Sequence, residues 1–592
     1  MDHMVYSSSF IRCCLRVGHE QHFPYAHEEY KWELKDALGC DHVLVTHELL
    51  VRVCQGPPRK QPSKKRKRAG AYGRRKVTDQ PRLQQGVSQM VSASDSDLYS
   101  RMIDLAAETT SPVPALRFVD SPEFKEMCRI RSITSDPSER AALSFRIYKL
   151  RKGERRRWKQ GLVLQAASGD WQARRSLAQH KGGPSAFNGL LQQYGGPAQA
   201  ARAVREHYDA RFAPEDAPEV PREALTLDGS SERPIHMDEL EDAVGRLKLG
   251  KATALSLISA EMLREIMHCV QGPQVLLRLV NDALFHPEHI PDIAMLGQVL
   301  LFPKAKWISQ PKQTRPIVLG DLLHKLLCTI TSIRVMSTMP ECPCMMGARR
   351  GVQVSEALFV GKYMAAQSHW YSLDMVFPKL DLQAAFDSIS HQALVALLME
   401  FASETCPASV AFLAQSLVRQ RLKFTFLMEE WYVDMKGGTV QGGTHSPRLF
   451  AIAVALLFMI QSADWVKKGE QPPFQTEDAK ELFGIWFVDD SFIAFANMFQ
   501  LQRCVPALLL ALANIGLRVN PQKSVVLRHG SSQFIPECIR GFQMVDQTVY
   551  LGMPLRVSND DSYMHRSLLN RAVRAFMTNR VLLTHPLVPR MK

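Results

Sequence analysis

Three aspartates have the types and spacing best suited to chemistry. Asp489 and Asp490 are adjacent in GIWFVDDSFIAFAN (Gly484–Asn497), between two runs of large apolar residues. Two carboxylates about 4 Å apart at an effective dielectric of about 20 repel by roughly 4 kcal/mol. An apolar hairpin carrying that pair at its tip is either an ordinary solvated turn or the seat of a cation. A third carboxylate, Asp381 in FPKLDLQAAFDSI (Phe377–Ile389), closes an apolar strand and precedes a helix. Three carboxylates at strand ends could hold two divalent cations, and hard oxygen ligands suit Mg²⁺. Two ions about 3.5–4 Å apart stabilise the attacking and leaving oxygens of an in-line phosphoryl displacement. On spacing alone both readings stay open, because many proteins have DD turns.

The elements that must position these residues are legible downstream of Met237. MDELEDAVGRLKLGKA and SAEMLREIMHCVQGPQVLLRLVNDALF have helical periodicity. GQVLLFPKAK and TRPIVLG have strand character, and RLKFTFLMEEWYVDM suggests a hairpin. GGTVQGGTHSPRLFAIAVALLF predicts a Gly-rich loop opening a buried helix. VPALLLALANIGLRVNPQKSVVL predicts a helix, a turn and a strand. Helices and strands alternating over some 330 residues indicate an α+β or α/β body.

The order RPIVLGDLLHKLL (Arg315–Leu327), KLDLQAAFDSI, GGTVQGGTHSPRLF, FVDD, GLRVNPQKS and YLG resembles the palm motif series of reverse transcriptases. The resemblance is specifically to those of non-LTR (LINE-like) retrotransposons, and it covers roughly Asp238 to Tyr563. It implies an α+β right-hand polymerase, with fingers and palm and a partial thumb, preceded by a mostly helical basic region. It also implies RNA-directed DNA polymerase activity, with two Mg²⁺ ions or Mn²⁺ in their place. An RNA template, a DNA primer or target and dNTPs would be the partners.

Residue by residue, the resemblance makes Asp381 the first metal-binding aspartate, with the Leu382 carbonyl beside it. Asp489 and Asp490 match the YxDD-type pair, with Phe487 in place of tyrosine and Val488 at the variable position. The first of the pair is the more direct metal ligand. Phe386 occupies the place of the side chain that blocks a ribose 2′-hydroxyl, or simply packs in the core. Asp387 has no metal role and is expected to serve as a helix cap or surface residue. Gln441, Gly442 and Gly443 match the QGG loop along the incoming nucleotide and template; glycine permits close backbone approach, and glutamine both donates and accepts. Ser446 and Pro447 have the cap-plus-proline form of a helix start. Arg315 and, more loosely, Lys304 would neutralise the triphosphate. Lys523 matches the motif lysine near the leaving pyrophosphate, or is a surface lysine. One stretch departs from the family: GKATALSLI (Gly250–Ile258) stands where GKAPGPDGI is usual.

Charge is concentrated toward the N-terminus. Of a net +14, Arg59–Lys76 carries ten basic residues and no acid, and Glu139–Arg175 carries eleven against three acids. PSKKRKR (Pro62–Arg68) is a nuclear-localisation or nucleic-acid-contact cluster, or a solvated linker. The basic segment around Trp158 could track phosphates while the aromatic packs or stacks. CDHVLV (Cys40–Val45) is similar to the SDHxxV end of an apurinic-type endonuclease domain, with Asp41 and His42 as its matching pair; a core histidine on a strand reads as well.

The division expected is 1–56 an endonuclease/exonuclease/phosphatase-type remnant, 57–100 a basic disordered linker, 101–236 a helical basic region, 237–370 fingers, 371–560 palm and 561–592 a partial thumb. At both ends the chain reads as truncated. Twelve scattered cysteines form no CxxC or zinc spacing, and no secretory signal is visible. The longest apolar run, Leu449–Ile460, has twelve residues and reads as a buried helix. These features point to a soluble intracellular protein, nuclear or cytoplasmic, without a membrane partner. Two other classes compete: a catalytically impaired nucleic-acid-binding derivative of such an element, and a group II intron maturase-like splicing factor.

Overall fold

The computed structural model describes residues 75–112, 118–167, 186–349, 351–427, 429–475, 481–528 and 535–557, with Ala173, Arg566 and 569–573. The expected endonuclease remnant, the Pro62–Arg68 cluster and most of the partial thumb lie outside the described residues.

Residues 75–100 are not a disordered linker. Helices α1 (Gln80–Met90) and α2 (Asp95–Thr109) occupy this stretch. Leu83, Val87 and Met90 recur at helical spacing and are buried, as are Leu98, Tyr99 and Met102. Asp79 caps α1 by accepting from the Arg82 N–H at 3.0 Å. The Ser-, Gln- and Asp-rich outer faces hid this apolar stripe. Two further helices, α3 (Pro122–Ile133) and α4 (Pro137–Ala167), pack as a hairpin. Trp158 of α4 is half-buried and meets Phe118 edge-on, at 5.8 Å between ring centroids. It is therefore a packing residue. Helix α5 (Pro197–Phe212) lies beyond this hairpin in sequence but returns to the sheets.

The first sheet has four strands in the order β2-β1-β4-β5. Strands β1 (Leu296–Pro303) and β2 (Thr314–Leu319) are antiparallel. Helix α6 (Leu322–Thr338) follows β2 and is capped by Asp321, which accepts from the His324 N–H at 2.7 Å. Next in sequence is β3 (Val376–Lys379), which belongs to the second sheet. Strand β4 (Arg421–Phe426) runs parallel to β1 and turns into β5 (Glu429–Asp434), forming the expected hairpin. Helix α5 docks on this sheet through Val204, Tyr208 and Phe212, which share a core with Val318, Phe424 and Trp431.

Helix α7 (Ser446–Lys467) is longer than its twelve-residue apolar run suggested. Its 22 residues, with a mean hydropathy of 1.9 over the most apolar 18-residue window, are by length and composition enough to cross a membrane. Here Leu449, Phe450, Val454 and Phe458 are buried in the main core. His445, not Ser446, sits at its cap position, and no side chain caps it.

Strands β6 (Gly484–Phe487) and β7 (Asp490–Ile493) form a hairpin. Helix α8 (Met498–Asn514) leads to β8 (Val525–Arg528), antiparallel to β3 and parallel to β9 (Gln543–Val545). Reciprocal 3.0 Å hydrogen bonds between Val376 and Phe495 join the β6–β7 hairpin to the free edge of β3. The protein is thus of mixed α+β class. The three aspartates lie at ends of β3, β6 and β7.

Candidate active site

Strand β3 is buried from Val376 to Pro378, and the chain leaves the sheet at Asp381. Two buried serines fix that exit. The Leu380 N–H donates to Ser491 Oγ at 2.8 Å, and the Asp381 N–H donates to Ser524 Oγ at 3.0 Å. The Asp381 carbonyl accepts from the Asn520 N–H at 2.7 Å, and the Gln383 N–H donates to Arg518 O at 2.8 Å. These bonds flank the narrow Leu382–Val519 bridge. In such a pair the Leu382 N–H and carbonyl point away from Val519. Neither serine was singled out from sequence, although each directly follows a motif residue, Asp490 or Lys523.

The β6–β7 turn is held in a costly conformation. Phe487 pairs with Asp490, leaving Val488 and Asp489 as a two-residue loop. Val488 has φ +60°. The first loop position of a II′ turn normally takes glycine, and a β-branched residue there costs on the order of 1–3 kcal/mol. A neighbouring segment over-determines the turn: Trp486 donates to Cys344 O at 2.8 Å and accepts from Met346 N–H at 2.8 Å. Gly347 comes so close that a Cβ there would lie 2.4 Å from the Val488 nitrogen. The strain therefore aims the carboxylates from both sides.

Asp489 stands at the open tip. The protein mass around the cleft, then Asp490 and then Asp381 push its pKa above the usual carboxylate value, and Lys379 weakly opposes them. Asp490 instead pairs with Lys379, at 3.4 Å. The three acids are in electrostatic reach of one another. Among the described residues, however, no three His, Cys, Asp or Glu side chains converge closely enough to hold a metal ion. Lys379, the partner of Asp490, is a residue the sequence did not suggest. In chemistry the set fits a hard divalent cation: oxygen donors, like charges and too little internal compensation.

A second group of charges gathers around Lys304. Burial, then Arg211 and Arg315, with a smaller share from Lys523, lower the pKa of Lys304, while Asp387 opposes the shift. The fold thus brings together Lys304, Arg315 and Lys523, as the sequence led one to expect, and adds Arg211 from α5. Lys304 Nζ also donates to Lys312 O at 2.8 Å.

Asp387 is neither a cap nor a surface residue. It is 2% exposed and accepts from Arg211 Nη1 at 3.2 Å and from Gln441 Nε2 at 2.9 Å. Burial still outweighs these partners and raises its pKa. A single acid cannot stay buried without such donors, so Asp387 marks where α5, the short helix Ala385–Ser388 and the QGG loop meet. The Gln441 carbonyl accepts from the Val318 N–H of β2 at 2.8 Å. Gly442 has φ +121°, and a Cβ there would lie 2.6 Å from Val318 O. The loop is thereby laid flat on β2. Phe386 stacks on Phe450 at 4.8 Å and packs against the main core, so half of its surface argument belongs to packing.

The stretch GKATALSLI contains a left-handed position. Leu257 stands at a glycine position and has φ +64°. Ser256, standing where aspartate is usual, has its hydroxyl against the Asp321 carboxylate, which also accepts from Tyr99 at 2.6 Å. The substitution turned a polar loop into a buried brace.

Carboxylates beside a strand end and on a strained hairpin, together with a cluster of cations around Lys304, are the kinds of groups that nucleotidyl transfer uses. Residues 302–555 match the reverse transcriptase (RNA-dependent DNA polymerase) family. Over 404 residues it is 22% identical to the Transposon TX1 uncharacterized 149 kDa protein of Xenopus laevis, covering 64% of this chain. The chain spans about 30% of that relative's length. Among solved structures it is similar to apo telomerase from Candida tropicalis truncated from its C-terminal domain, with a TM-score of 0.33 and 11% identity over 67% of this chain and 94% of that one. For telomerase from Candida albicans in complex with a telomeric RNA fragment, the TM-score is 0.34, with 11% identity over 75% and 78%. Enzymes of the matched family generally use divalent metal ions and act on nucleic acid.

Proposed function

We propose that this chain is the RNA-directed DNA polymerase of a LINE-like retrotransposon, extending a primer 3′-hydroxyl with deoxynucleotides on an RNA template. The observation that carries this reading is the strained β6–β7 turn, which sets Asp489 and Asp490 at its tip in electrostatic reach of Asp381. The 3′-oxygen forms a bond to the α-phosphorus of the dNTP, and the bond from that phosphorus to the bridging oxygen breaks, releasing pyrophosphate. Two divalent ions, Mg²⁺ by the hardness of the donors or Mn²⁺ in its place, would supply charge stabilisation at the entering and leaving oxygens. Asp381 and Asp489 would hold them, with the Leu382 carbonyl beside Asp381. Arg315 grips the triphosphate through its planar fork, while Lys304 adds a point charge. Lys523 would donate the proton to pyrophosphate. Gln441, Gly442 and Gly443 form the floor on which nucleotide and template lie, and Phe386 limits the space beside the sugar.

Primer extension on an RNA template tests this. Asp489→Ala is expected to abolish incorporation of radiolabelled dNTP. Extension equal to wild type by that variant would show the centre to be misassigned. The second reading, an element-derived nucleic-acid-binding protein without catalysis, is favoured by the unclosed carboxylate set; it predicts template binding with no incorporation by the wild-type chain.

A further inference from the structure

Helix α4 has 31 residues and a length of about 46 Å. It carries nine lysines and arginines against two glutamates. Its inner residues account for part of this charge. Arg151 pairs with Asp120 at 2.8 Å, its guanidinium lying over the Phe124 ring at 4.9 Å, and Arg155 lies over Phe118. Ile147, Leu162 and Val163 are buried.

The outer face is different. Phe145 and Tyr148 are each 60% exposed. Lys149 Nζ sits 5.1 Å from the Phe145 ring centroid, and Lys152 Nζ sits 5.5 Å from that of Tyr148. Residues 145, 148, 149, 152 and 156 follow i, i+3, i+4, i+7 and i+11 spacing, which places them on one side of the helix. Arg156 is exposed as well. Two exposed rings, each with a lysine ammonium near one face, therefore share one stripe with three cations.

Resting on the polymerase reading, we propose that this stripe binds single-stranded RNA, with bases stacking on Phe145 and Tyr148 and phosphates meeting Lys149, Lys152 and Arg156. The charge sign selects a polyanion. Protein interfaces concentrate aromatics but deplete lysine at their centres. A membrane-lying helix would need a continuous apolar face, and here cations interrupt it. Duplexes hide their base faces, whereas unpaired bases stack on exposed rings regardless of sequence. RNA is the strand that the matched domain copies.

The test uses the full chain and fluorescein-labelled U20, dT20 and a 20-base-pair RNA duplex, read by anisotropy. Phe145→Ala/Tyr148→Ala should weaken U20 binding by about tenfold or more, and duplex binding much less. Lys149→Gln/Lys152→Gln/Arg156→Gln should lower the slope of log affinity against log salt by about 2. A 4-thiouridine-substituted U20 should cross-link to Tyr148, which binding confined to the carboxylate cleft would not produce. Unchanged U20 affinity in both variants, or absence of that cross-link, overturns the proposal. Equal losses for dT20 and U20 overturn its commitment to RNA. Extension of a short preannealed hybrid is measured separately: an inactive wild type with an intact arm effect removes the polymerase reading and leaves the arm, and the reverse result removes the arm alone.

Discussion

Two groups of acids in this molecule are handled in opposite ways. Asp387, Asp321 and Glu232 are buried and fully partnered from within. Asp387 has Arg211 and Gln441, Asp321 has Tyr99, Ser256 and the His324 N–H, and Glu232 has Arg334 at 2.8 Å and the Ser409 N–H at 2.8 Å. Asp381, Asp489 and Asp490 are instead set against one another, and a backbone hydrogen bond and Lys379 only partly offset the rise in the Asp489 pKa. The first group stabilises the fold without external help. The second is left short of positive charge at a strained, braced turn. That difference assigns structure to one group and cation chemistry to the other.

The largest expected effect comes from breaking an internally partnered acid. Arg211 is 18% exposed on its side chain and Asp387 is 2%. Removing one member of a buried pair leaves an uncompensated charge and costs about 3–5 kcal/mol. Urea unfolding of Arg211→Ala should show that loss with an unchanged m-value. A loss below about 1 kcal/mol would place Asp387 with the solvated acids.

The catalytic group should respond to cations instead. A divalent ion at a hundred times its dissociation constant stabilises the folded state by about 2.7 kcal/mol. Thermal unfolding of wild type with and without Mg²⁺ should register that gain. Asp489→Asn should lack it, and should unfold no earlier than wild type without Mg²⁺, because one repelling charge is gone. An unchanged Mg²⁺ response in the variant would mean that the ion binds elsewhere.

Much of this contrast was legible in the sequence, and the illegible part has a physical cause. The strands and the DD turn were readable because apolar runs bounded by Gly and Asp leave few alternatives. The match between function and order in chain came from Asp381, QGG, DD and Lys523. Arg211 carried no local signal; its role exists because Tyr208 and Phe212, one turn of helix apart around it, bury α5 against the first sheet. Lys379 and the two clamping serines sat beside motif residues, yet pairing across sheets rather than spacing gives them their roles. Residues 75–100 were misjudged because short helices with polar outer faces resemble linkers in composition, and burial of Leu83, Val87 and Leu98 against the body supplies what propensity does not.

Buried bases separate the two groups by pH. Burial first, then nearby cations, lower His324 to about 4 and His445 to about 3, and burial lowers His391 to about 4. Each folded value lies below the ordinary 6.5, so the unfolded chain takes up the proton first. Their contribution is present above about pH 6.5 and is lost as pH falls toward 4, at up to about 1.4 kcal/mol per histidine per pH unit. Asp489 has the opposite sign: its raised pKa gives a contribution present at low pH and lost as pH rises through the folded value. Urea midpoints between pH 7 and 5 should therefore fall on acidification, and His445→Gln should flatten the slope by about one histidine's share.

The smallest effect on stability bears most directly on the comparison. Lys379 and Asp490 are both partly exposed, and such pairs contribute about 0.2–1 kcal/mol. Lys379→Met keeps the buried stem and removes the ammonium, so the urea midpoint should fall by no more than this. Its effect on cation binding should run the other way. Without the ammonium, Asp490 loses its partner, and a repelling positive charge leaves the site. The Mg²⁺ concentration giving half of the thermal shift should then decrease. If it increases instead, Lys379 is part of the cation site's architecture rather than its internal competitor, and Asp489 feels less repulsion from its neighbours than its raised pKa implies.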